Sequence, residues 1–166
     1  MSLLNNIDLI RILLILILLY LSYVDLRSFR LPDFITLPLI IAGLLFNFLS
    51  PSSFVDITDS MAGALIGYGS LWLLNCLYRL VKRQDGIGMG DAKLLAALGA
   101  WLGWAALPSI LLIASISGFI GGMIYLKWRQ QSSHHPFPFG PFLAFAGIIE
   151  LLWPQNLLLF LLGNLS

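Results

Sequence analysis

Apolar residues run along this 166-residue chain in long blocks separated by short polar interruptions, with no alternation of the kind that marks a half-buried strand. A helix that crosses a bilayer needs about 20 predominantly apolar residues. Residues 7–24 supply the first such block. Asp8 and Arg11 sit at its outer end, where a long arginine reaches the headgroups. Residues 34–50 form the second, entered through Leu31-Pro32-Asp33, which reads as a helix start with an acid near the positive end of the helix dipole. Residues 60–78 form the third, and Gly63, Gly67 and Gly69 within it suit close helix packing. Residues 94–126 carry no charge. As one helix they would reach about 50 Å, against a hydrocarbon core of about 30 Å. They are expected to form two helices meeting near residues 103–108. A last span is expected over 140–162, with Pro154 as a kink.

The pattern thus predicts an all-α polytopic membrane protein with six transmembrane helices, in a single membrane-embedded domain covering residues 1–166. The basic residues orient it. Arg27, Arg30, Arg79, Lys82, Arg83, Lys93, Lys127 and Arg129 all fall in the loops 25–33, 79–93 and 127–139, which six spans put on one side. Arg11 alone lies on the other side, with Asp8, Asp56 and Asp59. Positive residues favour the cytoplasm, so both termini are expected outside and the three basic loops inside.

Composition strengthens this picture. Hydrophobic residues make up 59% of the chain and charged ones 10%, whereas a soluble domain carries about 25% charged residues. A soluble globular domain is excluded. The net charge of +1 gives no electrostatic case for nucleic acid. Cys76 is the one cysteine, so neither an internal disulfide nor a cysteine zinc site can form within one chain.

Two of the few acids stand out by depth. Asp25 lies at the inner end of the first span, and Asp91 at the start of the fourth, just after Gly86-Ile87-Gly88-Met89-Gly90. Both are expected on the same face at the same depth. An acid so close to hydrocarbon is costly unless it is paired, solvated or useful. Two carboxyls held together tend to share one proton, which is the working state of an aspartic protease: one acid polarises a carbonyl while the other activates water. Gly88 and Gly90 permit a tight backbone path and close approach of an extended substrate. The plainer reading makes 86–90 a loop, Asp91 a helix N-cap and Asp25 an interfacial acid.

Three segments tip the balance. Asp25-Leu26-Arg27 continues to Leu31-Pro32-Asp33 and Thr36-Leu37-Pro38. The run from Gly88-Met89-Gly90-Asp91-Ala92-Lys93 continues to Trp101-Leu102-Gly103. Pro138-Phe139-Gly140-Pro141-Phe142-Leu143-Ala144 closes at Gly147. In this order and spacing they resemble the membrane region of bacterial type IV prepilin peptidases, across nearly the whole chain. The resemblance implies an intramembrane aspartic endopeptidase of the Gly-x-Gly-Asp type in the bacterial inner membrane, with Asp25 and Asp91 as its catalytic pair. It implies that the substrates are prepilins or type II secretion pseudopilins, cut on the cytoplasmic side, and that no cofactor is needed. Gly86, Gly88, Gly90, Asp33 and Lys93 are the expected active-site loop and its surroundings. Full-length members carry an N-terminal extension with paired CxxC motifs, associated with zinc and with N-methylation. This sequence starts at its first span, so it resembles either a short form or a fragment without that extension, and methyltransferase activity is not expected.

Glu150, roughly mid-span in the last helix, departs from the family pattern. It is expected to face the bundle interior rather than to relay protons to the site. Asp33 is expected chiefly to start its helix, and Lys93 to mark a cytoplasmic loop end. His134-His135 lack an acidic or cysteine neighbour, and no metal site is expected there. Asn47 and Asn75 are expected to hydrogen-bond between helices. The tryptophans Trp72, Trp101, Trp104, Trp128 and Trp153 read mostly as interfacial belt residues. Two rival functions remain at this level. A small transporter or proton channel would use Asp25, Asp91 and Glu150 as relay groups, and a pilus or secretion assembly scaffold would need no catalysis.

Overall fold

The computed structural model describes residues 6–82, 88–129 and 138–153. Among these it has six α-helices and no strand: α1 (Asn6–Ser28), α2 (Asp33–Leu49), α3 (Ile57–Lys82), α4 (Met89–Leu102), α5 (Leu107–Arg129) and α6 (Gly140–Leu152), with a 3-10 turn over Trp104–Ala106. Pro154 and the remainder of the expected last span lie outside the described residues, as do Gly86 and His134-His135.

By length and composition, three helices can cross a membrane: Ile7–Ser28, Ile57–Lys82 and Trp104–Ile124. Asp33–Leu49 and Gly140–Leu152 are shorter apolar helices. The long charge-free run is divided where its length requires. Gly103 takes φ +80°, a conformation that L side chains rarely adopt, and the 3-10 turn follows it directly.

Each peripheral helix buries one stripe and leaves the rest outward. In α1 the buried stripe is Leu14, Leu18, Leu21 and Asp25, spaced by four, three and four residues. Leu9, Leu13, Leu16 and Leu19 on the same helix are more than half exposed. Surface of this kind suits hydrocarbon. The chain leaves α1 abruptly: Phe29 adopts φ +52°, and its N–H bonds back to the Asp25 carbonyl at 2.8 Å.

The centre of the bundle is α4. Ala92 and every residue from 94 to 102 are buried, as befits a helix that is apolar on all sides. It packs most extensively on α3, then on α2. A methyl group at Gly63 of α3 would overlap the Gly99 carbonyl of α4, and one at Gly99 would overlap Gly63. The two backbones approach closely because neither residue carries a side chain. Gly67 continues that contact one turn on, 2.7 Å from a built β-carbon to the Leu95 carbonyl. Gly69 faces open space. Glycines 63 and 67 share a helical face, and Gly69 lies roughly 200° further round the helix from Gly67. The close-packing expectation thus holds for two of the three.

A buried polar knot ties α2, α3 and α4 together. Asn47 Nδ2 donates to the carbonyls of Ala100 (2.9 Å) and Trp101 (3.2 Å) and to Ser60 Oγ (3.3 Å). Asn47 Oδ1 accepts from the Phe54 N–H at 3.0 Å. The Ser60 hydroxyl also donates to the Ala100 carbonyl. Asn47 therefore does what its sequence position suggested, and Asn75 of α3 meets Met89 Sδ of α4 at 4.0 Å. Trp101 does not join an interfacial belt. It is buried, stacks on Phe46 with ring centres 5.4 Å apart, and donates its indole N–H to the Leu39 carbonyl at 2.9 Å. It sits on the central helix, so its place near a span end puts it inside the bundle.

Candidate active site

The C-terminal end of α1 and the N-terminal ends of α2, α4 and α6 gather at one end of the bundle. Asp25 is the last member of the buried stripe of α1 and is 5% exposed. The helical spacing that buries Leu14, Leu18 and Leu21 turns this carboxyl inward as well. Asp91 is half-buried in the first turn of α4. The N-cap of that helix is Gly88, which offers no side-chain cap. Asp91 lies three residues inside, with its N–H bonded to the Gly88 carbonyl at 3.1 Å. It is therefore not the N-cap that the plainer reading supposed.

The two carboxyls lie within electrostatic reach of each other. Gly140, at the start of α6, completes the enclosure. Its backbone amide lies beside Asp25 as a hydrogen-bond donor. Asp25 Oδ2 is buried, with no partner of full hydrogen-bond geometry among the described residues. A β-carbon at Gly140 would stand 2.6 Å from that same oxygen. The α6 N-terminus also turns the positive end of its dipole toward Asp25, and α4 does the same for Asp91 in its own first turn.

The remaining expected site residues separate into two groups. Gly88 and Gly90 adjoin the pair: a β-carbon at Gly88 would lie 3.6 Å from Asp91 Oδ2, and one at Gly90 would lie 3.0 Å from Leu31 Cβ in the α1–α2 link. Asp33 and Lys93 form an ion pair of 2.6 Å, which ties the first turn of α2 to that of α4. Asp33 is mostly exposed and starts α2 as expected, but its side chain is spent on Lys93 rather than on capping. Gly86 lies outside the described residues. Glu150 is fully buried, at the other end of α6. Gly140 escaped the sequence reading as a site residue. Its signal was its place in the segment 138–144, beside a proline that starts a helix.

The comparisons with known proteins meet this geometry. The model of the type IV leader peptidase family matches residues 12–123, which include both Asp25 and Asp91. The chain belongs to the type IV leader peptidase family. It is 49% identical to a prepilin leader peptidase/N-methyltransferase of Aeromonas hydrophila over 150 residues, which are 89% of this chain and 50% of that protein. It is 46% identical to the protein of the same name from Pseudomonas aeruginosa over 140 residues, 84% of this chain and 48% of that protein. The chain therefore spans about half the length of these leader peptidase relatives. No solved structure matches it.

Proposed function

We propose that this chain is an intramembrane aspartic endopeptidase that removes the leader from prepilins or pseudopilins. The observation that carries the reading is the placement of Asp25 and Asp91, from two different helices, within electrostatic reach of each other at one end of an apolar bundle. Family membership gives it a substrate class, since the relatives are named prepilin leader peptidases. In this reading the chain crosses the bacterial inner membrane six times, both termini lie outside, and the pair faces the cytoplasm. The basic residues Arg27, Arg30, Arg79, Lys82 and Lys93 around that end support the orientation.

The chemistry follows from a carboxyl pair that holds one proton. The ionised aspartate takes a proton from a water as its oxygen attacks the scissile carbonyl carbon. The neutral aspartate gives its proton to the carbonyl oxygen, and a tetrahedral diol forms. The first aspartate then returns its proton to the amide nitrogen while the second recovers one from the diol. The C–N bond breaks, the leader leaves as an acid and the mature chain as an amine, and the pair again holds one proton. Gly88, exposed and without a side chain, leaves room for an extended strand beside Asp91, while Gly90 lets α4 pack closely on Leu31.

Asp25→Asn and Asp91→Asn, assayed on a prepilin in membranes, are each expected to lower cleavage by at least about 100-fold. Membrane accumulation and helicity should stay at wild-type levels. Wild-type cleavage by both variants would overturn the assignment.

A further inference from the structure

The end of the bundle that holds the carboxyl pair also holds a cationic cavity that hydrolysis does not use. It measures about 570 Å³ and opens between the α1–α2 link, the C-terminal half of α3 and the start of α4. Trp72, Asn75, Cys76 and Arg79 line it from α3, at the i, i+3, i+4, i+7 spacing that puts four residues on one helical face. Arg30 lines it from the link, whose backbone is held where the Ser28 hydroxyl donates to the Arg30 carbonyl at 3.0 Å. Both arginines are exposed, and no carboxylate is among the described lining residues. Arg79 stands in the last turn of α3, roughly 10 Å of helix beyond Trp72.

We propose that this cavity binds an anionic phospholipid, with the lipid phosphate between Arg30 and Arg79. Two guanidiniums without an acid select a negative group. A guanidinium presents five N–H donors in a planar fork that matches a phosphate, so each arginine can take an oxygen while keeping a contact it already makes. The other end of the cavity selects hydrocarbon. Trp72 is about half exposed there, and Leu73 and Leu77 beside it on α3 are more than half exposed. The helix that carries them is long and apolar enough to cross a membrane, so this face meets acyl chains where Arg79 meets headgroups. Basic cavities between helices at a membrane surface suit anionic headgroups in general. Arg27 shows that charge at this end is not enough: it stacks over the Tyr23 ring at 5.1 Å and takes no part in the lining. A free phosphate shares the headgroup's chemistry, and the test separates the two. The inference does not rest on the peptidase reading, and its readout is bound lipid rather than cleavage.

The full chain, purified in detergent, is titrated with phosphatidylglycerol or phosphatidylcholine of identical acyl chains, and bound lipid is counted by native mass spectrometry. Wild type is expected to retain phosphatidylglycerol with about a tenfold preference, the yield of one charge-assisted contact. Arg30→Gln and Arg79→Gln, both at exposed positions, are each expected to bring the two lipids within about threefold. Cys76→Trp, which fills the cavity and keeps both arginines, should do the same. Arg27→Gln, outside the lining, should keep the tenfold preference. Equal retention of the two lipids by wild type, an undiminished preference in Arg30→Gln and Arg79→Gln, or the same loss in Arg27→Gln overturns the proposal. So does displacement of the lipid at matched concentration by glycerol 3-phosphate or by a short glutamate peptide, which would give the cavity to a free phosphate or to an acidic chain.

Discussion

A single added methyl group at Gly140 reaches Asp25. The built β-carbon stands 2.6 Å from Asp25 Oδ2, well inside van der Waals contact, and the carboxyl is buried with little room to retreat. Gly140→Ala is therefore expected to turn Asp25 away from Asp91, or to push α6 outward. Displacing a reacting group by about 1 Å costs on the order of 100-fold in rate. Cleavage of a prepilin should fall by about that factor while membrane insertion persists. Activity within twofold of wild type would show that Asp25 does not need this contact. At this scale the sequence was partly readable. Asp25 and Asp91 stood out because acids are scarce in the chain and both fell at span ends. Gly140 did not, because its importance comes from a helix far away in the chain, and a glycine before a proline looks like any helix start. Trp101 was misread for a related reason: position along a span does not say whether a ring faces lipid or protein.

Between elements, the closest approach is α3 on α4, and it governs where Asp91 sits. Gly63→Ala places a methyl against the Gly99 carbonyl and the Gly103 backbone, none of which is a flexible side-chain end. The helices must part, at a cost of about 1–3 kcal/mol for overpacking. In a chain of this length that lowers the melting temperature in detergent by on the order of 5 °C. Gly69→Ala is the matched control. It lies on the same helix but faces open space, so its melting temperature should hold or rise slightly. Equal melting of the two variants would contradict the packing argument. The break at Gly103 was legible from length alone, since an uncharged run of about 50 Å cannot cross once. The central position of α4 was not. An apolar surface on all sides looks the same in sequence whether lipid or other helices cover it, and only the packing of α2, α3 and α6 around α4 distinguishes them.

At the scale of the whole molecule, the two ends of the bundle differ in charge, and that difference predicts an orientation. Arg27, Arg30, Arg79, Lys82 and Lys93 lie at the end that holds the carboxyl pair, while Asp8, Asp56, Asp59 and Glu150 share the opposite end with Arg11. Loops rich in lysine and arginine stay in the cytoplasm because moving them across an energised membrane is unfavourable. Orientation can be read with single cysteines in a Cys76→Ala background. Ser53→Cys, in the α2–α3 link, is expected to react with a membrane-impermeant maleimide in intact cells. Gln84→Cys, between α3 and α4, should react only after permeabilisation. Labelling in the reverse order would put the carboxyl pair outside. It would also remove the charge argument for a leader cut on the cytoplasmic face, without touching the chemistry of Asp25 and Asp91. Because the two tests fail separately, orientation and catalysis can be decided independently of each other.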